Sequence, residues 1–397
     1  MAGLSVRPLR LASSRFPSAT HNYFICTLTR RHFLHLLHTR PSAQRVQPPC
    51  IGVRRETVPA RPFTTTLATM APTLTQMFPP KPSFTEKNLP DLGGKVYIVT
   101  GANTGVGKEL SRMLYSKNAR VYIMARSQAK AEEAIVDIKR AEPKSRGALA
   151  FIPLDLSDLS TIKATVDKFL AAETKLHVLF NNAGVLNTKT PKNEVVRTAQ
   201  GHEQHIGVNV IGPFLLTQLL TPTLISTAKT EPSSTVRVVW VGSSASEGFA
   251  QNRVGITPEM VADLPNKSPS VRYWVSKVGN WAHGVEYARR HKADGIVSVP
   301  LNPGNLLSDL YRDSGFPLTL MFKLLMYPPI NGAYTELFAG LSPEVNIETT
   351  GKWVIPFGRV SYIKEHMEFA AKTEAEGGTG GTQKFWEWTQ DQVKAYL

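Results

Sequence analysis

The glycine-rich stretch after the first apolar run of this chain constrains its fold more than any other feature. Val96 to Val99 form that run, and glycines follow at positions 101, 105 and 107, ahead of a helical pattern. Such a strand, turn and helix N-terminus form an anion cradle, because unpaired backbone N–H groups and the helix dipole face one point. A Cβ there would hold the backbone away from a pyrophosphate or strain a turn with positive φ. We expect a nucleotide site, the alternative being an ordinary glycine-rich βα turn.

The net charge of +15 is concentrated at the N-terminus of the 397-residue chain. Residues 1–80 contain ten arginines, no lysine and one acid, Glu56, so they carry +9 and leave +6 for residues 81–397. A nucleic-acid-binding protein would carry a basic stripe interleaved with aromatic residues, and no such stripe follows. We therefore expect no nucleic-acid partner.

The composition of residues 1–80 is that of an organelle transit peptide, rich in Arg, Ser, Thr, Pro and Leu. Within it, Arg61-Pro-Phe-Thr-Thr-Thr66 resembles the processing pattern of mitochondrial presequences. The location is mitochondrial if residues 1–69 are translated, and cytoplasmic if Met70 is the true start. The predicted organisation is a disordered or transit-peptide-like segment over 1–80 and one domain over 81–397.

Cysteine usage and hydropathy exclude several kinds of site in the predicted domain. Cys26 and Cys50 both lie before residue 81, so the domain needs no disulfide and has no cysteine metal site. The longest apolar candidates, residues 206–220 and 318–330, are interrupted by polar residues or proline. We expect no metal site and no transmembrane span.

Short apolar runs alternate with helical patterns of 10–20 residues beyond residue 95, which predicts βαβ units and a parallel sheet. The predicted strands lie near residues 96–99, 120–124, 148–154, 178–180, 236–241, 296–300 and 353–355. The predicted fold class is α/β, a Rossmann-type doubly wound, mainly seven-stranded parallel sheet with helices on both faces, in a single domain. The ligand should lie at the carboxyl ends of the strands.

Five further motifs occur in order along this predicted sheet. Asn181-Asn-Ala-Gly184 closes the fourth strand, and Asn209 lies in the next helix. Ser243 follows the fifth strand, Tyr273-Trp-Val-Ser-Lys277 opens a helix, and Asn302-Pro-Gly304 follows the sixth strand. With the glycine-rich turn, this series resembles the short-chain dehydrogenase/reductase family over about residues 90–360. Within it, the chain resembles the retinol-dehydrogenase-like or WW-domain-oxidoreductase-like branch.

Tyr273 and Lys277 carry the predicted chemistry. Four residues apart on a helix, they share one face with Cβ atoms about 5–6 Å apart. An ammonium about 4 Å from the hydroxyl would favour tyrosinate by ~4 kcal/mol, about three pKa units, at an effective dielectric of about 20. The pKa of Tyr273 would then lie near neutrality, where a proton donor and acceptor works best. The alternative is a half-buried aromatic residue beside a surface lysine.

The resemblance implies two further catalytic side chains. Ser243 would hold the substrate oxygen against Tyr273, with Ser244 as the alternative hydroxyl. Asn209 would hold a water in a proton relay, unless it is a helix-capping or kink asparagine. The family's spacing from serine to tyrosine is shorter than the 30 residues here, so residues 247–269 are expected to form an inserted loop near the substrate.

The resemblance also implies contacts to a nicotinamide cofactor. Besides Tyr273 and Lys277, the expected contacts are Gly101, Asn103, Thr104, Gly105, Val106, Gly107, Arg126, Asp155, Leu156, Asn182, Ala183, Gly184, Pro303 and Gly304. Asp155 would bond the adenine amino group or cap the following helix. Ser308 is the residue nearest to the family's nicotinamide-binding threonine.

The end of the second strand predicts the choice of cofactor. An acid there would bond the ribose 2′-hydroxyl of NAD and repel a 2′-phosphate, but the chain has Ala125-Arg126. Arginine presents a planar fork of donors to phosphate, so we expect NADP rather than NAD. Lys108 and Lys130 are near enough in sequence to share this role. The alternative is a solvated arginine at a helix start.

These expectations lead to an NADP-dependent oxidoreductase that interconverts an alcohol and a carbonyl, with Tyr273 as acid and base. A non-catalytic NADP-binding regulator or scaffold is the alternative, although the complete Ser/Tyr/Lys set argues against it. About 90 residues remain after Gly304, too few for the substrate domain of a sugar-nucleotide epimerase. The apolar residues 318–327 would be a lid over a lipophilic substrate, a membrane-surface patch or core. The sequence does not determine the oligomeric state, and a homodimer is one possibility.

Overall fold

The computed structural model of the chain describes residues 74–187, 190–191, 194–307 and 326–397. The predicted presequence over residues 1–69, Ser308 and residues 318–325 of the apolar segment lie outside these ranges.

Within the described ranges, a sheet of eight strands forms the centre of the fold, in the order β3-β2-β1-β4-β5-β6-β7-β8. The strands are β1 (Val96–Thr100), β2 (Arg120–Ala125), β3 (Ala148–Pro153), β4 (Val178–Asn181), β5 (Arg237–Val241), β6 (Val297–Leu301), β7 (Trp353–Ile355) and β8 (Arg359–Ser361). The strands from β3 to β7 pair in parallel, and β8 runs antiparallel to β7. The seven predicted parallel strands are confirmed. Strand β8 was missed because three residues carry no readable alternation.

Helices cover both faces of this sheet, as predicted. They are α1 (Gly105–Ser116), α2 (Gln128–Ala141), α3 (Leu159–Ala172), α4 (Gln204–Ala228), α5 (Ala245–Phe249), α6 (Pro258–Ala262), α7 (Pro269–His291), α8 (Pro329–Leu341), α9 (Glu365–Ala371) and α10 (Gly381–Val393). Leu110, Ile123 and Leu337 belong to the apolar core between the sheet and α1, α2 and α8. Phe169, Phe214 and Trp240 belong to the core under α3, α4 and α7. Because both faces are covered, β1, β5 and β6 are buried along their whole length.

Helix α4 is the one helix in the described ranges that is long and apolar enough to cross a membrane. Within the fold, 72% of its apolar window is buried, as is usual for the core helix of a covered sheet. Its second turn, Gly207–Ile211, is π-helical and contains Asn209.

The packed structure begins before residue 81. Residues 74–77 form a helical turn, and the side chain of Gln76 is buried. Its Nε2 donates to Glu247 Oε1 at 2.8 Å, and its Oε1 accepts from Asn302 Nδ2 at 2.8 Å. The expected domain start therefore lies too far along the chain, because an isolated glutamine carries no periodic signal of burial.

Candidate active site

A cavity of about 570 Å³ lies at the carboxyl ends of the parallel strands. This volume is within the range of small-molecule and cofactor sites, roughly 300–1,000 Å³. Most of the residues singled out in the sequence lie in its wall: Gly101, Asn103, Thr104, Gly105, Val106, Gly107, Arg126, Asn182, Ala183, Gly184, Leu156, Ser243, Tyr273, Lys277, Pro303 and Gly304. Asp155 and Asn209 do not contribute to the wall.

The glycine turn after β1 has the backbone expected of an anion cradle. Gly101 and Gly105 have φ of +68° and +58°, where a side chain would be strained. A Cβ at Gly107 would lie 2.5 Å from Asn182 Nδ2 and 3.0 Å from Gly101 O. Asn182 supports the turn from the next strand, since its Nδ2 donates to Thr100 O at 2.7 Å. The turn and the first residues of α1 therefore line the cavity where a helix N-terminus favours an anion.

Three basic residues are predicted to bind the 2′-phosphate of NADP, and two of them line the cavity near the end of β2. Arg126 and Lys130 are exposed and lie in the cavity wall. Lys108 instead donates to Asp137 Oδ2 at 2.7 Å and does not reach the wall. The expectation that Lys108 shares the role of Arg126 is therefore wrong.

Asp155 has a local structural role after β3. Its carboxylate accepts from the Ser157 N–H at 2.9 Å and from the Ser157 hydroxyl at 2.6 Å. The N-cap of α3 is Asp158, which accepts from the Ser160 N–H at 3.0 Å. Asp155 is therefore not the helix cap, and its neighbours Leu154 and Leu156 line the cavity in its place.

Tyr273 and Lys277 lie one turn apart near the start of α7, which has proline in its first turn. Lys277 Nζ is 5.6 Å from the centre of the Tyr273 ring and donates to Val241 O at 2.9 Å. Burial lowers the pKa of Lys277 to about 8, and the nearby carboxyl group of Glu336 opposes that shift. The ammonium is therefore the main form near neutral pH, where it favours the tyrosinate of Tyr273.

The two serines after β5 differ in position. Ser243 is half-buried in the cavity wall, whereas Ser244 is exposed and outside it. Ser243 Oγ accepts from the Ala245 N–H at 3.2 Å, which orients the hydroxyl group. The geometry therefore favours Ser243 as the hydroxyl that meets a substrate.

Asn209 lies behind the cavity wall, fully buried in the π-helical turn. Its Oδ1 accepts from the Val185 N–H at 2.8 Å, and its Nδ2 donates to Val185 O at 3.1 Å and to Ser276 Oγ at 3.0 Å. The side chain thus joins the segment after β4 to α7, and it is not a helix cap. Its predicted role in holding a water remains a prediction.

The loop after β6 closes the opposite side of the cavity. Gly304 has φ of +102°, and its N–H donates to Asn302 Oδ1 at 3.0 Å. Asn302 is in turn bonded to Gln76, so the N-terminal turn supports the loop. The insertion over residues 247–269 does not line the cavity: it contains α6, and Ile256 and Leu264 are buried in the core. The described cavity wall therefore gives no support to a loop near the substrate in this segment.

The chain is similar in sequence to known short-chain dehydrogenases. A sequence model of short chain dehydrogenases matches residues 95–254. The short-chain dehydrogenase/reductase bet4 of Neocamarosporium betae is 52% identical over 323 residues, which cover 81% of this chain and 93% of the relative. The chain belongs to the short-chain dehydrogenase/reductase family. It is therefore an NAD(P)-dependent oxidoreductase of alcohols and carbonyls.

A second relative belongs to the same family, and its name does not specify a branch of that family. The short-chain dehydrogenase/reductase sthC of Phaeosphaeria nodorum is 54% identical over 279 residues, 70% of this chain and 88% of the relative. Both names indicate a short-chain dehydrogenase/reductase and neither indicates a retinol dehydrogenase. The expected retinol-dehydrogenase-like branch finds no support in them.

Solved structures show the same fold. The Pseudomonas aeruginosa RhlG/NADP active-site complex matches with a TM-score of 0.52 at 22% identity, over 69% of this chain and 97% of that one. The 3-ketoacyl-(acyl-carrier-protein) reductase from Brucella melitensis complexed with NADH matches with a TM-score of 0.51 at 23% identity, over 66% and 96%. These likenesses support the Rossmann-type α/β fold.

The residues of this short-chain dehydrogenase/reductase fit a nicotinamide dinucleotide. The glycine turn suits a pyrophosphate, and the exposed Arg126 and Lys130 lie in the same wall. Sequence reasoning missed the buried Glu336 in the same wall. Its signal was that Glu336 is the single charged residue of helix α8.

Proposed function

We propose that this protein is an NADP-dependent oxidoreductase that interconverts an alcohol and a carbonyl on a lipophilic substrate. The observation that carries the proposal is that Ser243, Tyr273 and Lys277 meet in the wall of one cavity beside the glycine turn. When bound, the nicotinamide cofactor supplies or accepts the hydride.

The protein's own residues hold the substrate oxygen and move one proton. In the direction of carbonyl reduction, the Ser243 hydroxyl donates a hydrogen bond to that oxygen, and the Tyr273 hydroxyl gives up its proton to it. The Lys277 ammonium stabilises the tyrosinate that remains. In the direction of alcohol oxidation, Tyr273 accepts the proton instead.

The preference for NADP is supported by charge at the end of β2. Arg126 and Lys130 are exposed cations in the wall, and Ala125 offers no carboxylate to a ribose hydroxyl. The structural neighbours do not discriminate, since one is an NADP complex and the other an NADH complex.

The described part of the wall supports a substrate with an apolar body and a polar group. Val185, Leu186 and Leu306 are apolar, whereas Asn187 and Gln204 are polar. Retinoids, steroids, long-chain aldehydes and fungal-type secondary metabolites all have this character. The fungal origin of the similar relatives favours the last class.

Screening the purified protein for NADPH oxidation against a panel of lipophilic carbonyl compounds tests this function. We expect turnover of at least one compound, and a loss of about 10²- to 10³-fold in kcat for Ser243→Ala, because one donor to the substrate oxygen is removed. The matched control is Ser244→Ala, which should keep wild-type kcat. NADPH binding without turnover of any carbonyl would favour the non-catalytic regulator or scaffold.

We also propose a mitochondrial location if translation begins at Met1, and a cytoplasmic one if it begins at Met70. The arginine-rich segment should direct a fused reporter to mitochondria, with the mature chain beginning between Thr64 and Met70. Either start retains Gln76, so the support of the loop after β6 is kept. A chain that begins at Met70 or Ala71, together with a diffuse reporter, would contradict the presequence.

A further inference from the structure

The proposed reaction does not use one buried acid of the cavity wall. Glu336 in α8 is fully buried, and it lines the same cavity as Tyr273 and Lys277. Neither of its carboxyl oxygens has a hydrogen-bond partner among the residues that the structure describes. A buried polar group without a partner is costly to retain, so its presence in a cavity wall points to a ligand group as its partner.

The neighbours of Glu336 place it at the chemical end of the cavity. Gly332 lies one turn before Glu336 on the same face of α8. A Cβ at Gly332 would lie 2.2 Å from the Leu306 side chain, so this face of α8 lies against the loop after β6. On the other side, the carboxyl group interacts electrostatically with the Lys277 ammonium, although the two form no ion pair within 4 Å. Glu336 is therefore on the side of Tyr273 and Lys277, whereas Arg126 lies between β2 and the start of α2.

Among the residues that the structure describes, Lys277 is the charged group that acts on Glu336. On α1, Arg112 pairs with Glu109, and both interact with Tyr334 rather than Glu336. On β5, Arg237 donates to Ala339 O at 3.0 Å and interacts with Tyr97. Burial raises the pKa of Glu336 to about 8, so below that pH it is a neutral carboxylic acid.

We propose that Glu336 contacts the nicotinamide half of the cofactor and ionises in response to the charge of the ring, given that the cofactor of the proposed function occupies this cavity. Beside the neutral reduced ring the carboxyl group keeps its proton and donates a hydrogen bond. Beside the positively charged oxidised ring it loses the proton to solvent and becomes a carboxylate. An opposite charge within about 6 Å lowers a carboxyl pKa by roughly 1–3 units, which is enough to bring this value below 7.

The proposed ionisation of Glu336 makes the affinity for NADP⁺ depend on pH in one direction. In the free protein Glu336 is protonated below about pH 8, so NADP⁺ binding at neutral pH must release a proton. NADP⁺ affinity therefore rises as the pH approaches 8, by up to about tenfold per pH unit, and then levels off. The nicotinamide ring of NADPH is uncharged, so the affinity for NADPH does not rise with pH in this way. The 2′-phosphate titrates in both cofactors, so the ratio of their dissociation constants isolates the ring.

Isothermal titration calorimetry of the full chain with NADP⁺ and NADPH tests the proposal. Titrations at pH values of about 6, 7 and 8, in buffers of different ionisation enthalpy, count the protons released. For the wild type we expect NADP⁺ to release close to one proton more than NADPH near neutral pH, and the ratio of the two dissociation constants to change at least tenfold between about pH 6 and 8. Glu336→Gln should abolish both effects while it still binds NADPH.

Glu286→Gln is the matched control, because Glu286 is another buried acid, on α7, that pairs with Arg290 and does not line the cavity. It should behave as the wild type does. A wild type that binds both cofactors with equal proton release overturns the role of Glu336 even if the variant fails to fold. If Glu336→Gln still releases one proton more with NADP⁺ than with NADPH, the role of Glu336 is also overturned and the linkage is assigned to Lys277. A chain that binds neither cofactor instead refutes the proposed function.

Discussion

Replacing Tyr273 with Phe should lower kcat by roughly 10²- to 10⁴-fold, because the variant has no proton to exchange with the substrate oxygen. The ring is retained, and it packs edge-on to His205 with a centroid distance of 6.3 Å. Only the hydroxyl is removed from a side chain that is 7% exposed. NADPH affinity should therefore stay within a few-fold of the wild type. Single-turnover kinetics and NADPH titration measure the two quantities.

Tyr287→Phe provides a control on the same helix. The Tyr287 hydroxyl shares a hydrogen bond of 2.9 Å with Thr221 Oγ1, and the residue does not line the cavity. Its removal should cost about 1 kcal/mol in the free energy of unfolding and leave kcat unchanged. Wild-type turnover by Tyr273→Phe would rule out the acid–base role of this residue.

The second large effect concerns the cofactor. A charge-assisted contact between Arg126 and the 2′-phosphate is typically worth ~1.5–3 kcal/mol, a preference for NADP of roughly 10- to 150-fold. Arg126 is exposed, so we expect the lower part of this range and a decrease with added salt. Combining Ala125→Asp with Arg126→Ala should reverse the preference toward NAD, because an acid is added where the phosphate would lie.

The ratio of kcat/KM with NADPH to that with NADH measures this preference. Lys130→Ala should lower the ratio in part, since Lys130 shares the wall with Arg126. Lys108→Ala is the control and should leave the ratio unchanged, because Lys108 is paired with Asp137. A wild-type protein that prefers NADH would show that the end of β2 does not select the 2′-phosphate.

The features that depend on neighbours along the chain could be predicted from the sequence. The strands are buried on both faces, so β1, β5 and β6 appear as continuous apolar runs. The turn needs glycine because Gly101 and Gly105 have positive φ. Tyr273 and Lys277 are one helical turn apart, and that spacing places them on one face. Local geometry is sufficient for each of these predictions.

The features that depend on contacts between distant segments became visible in the folded structure alone. The sequence does not distinguish Lys108 from Lys130 as a partner of the 2′-phosphate. In the structure, Asp137 on helix α2 forms an ion pair with Lys108. Gln76 supports the loop after β6 through a bond that spans 226 residues. The buried carboxyl group of Glu336 meets the cavity only because α8 packs beside the ends of the strands. Burial and pairing of a polar side chain depend on what packs against it in space, and no local sequence pattern encodes that.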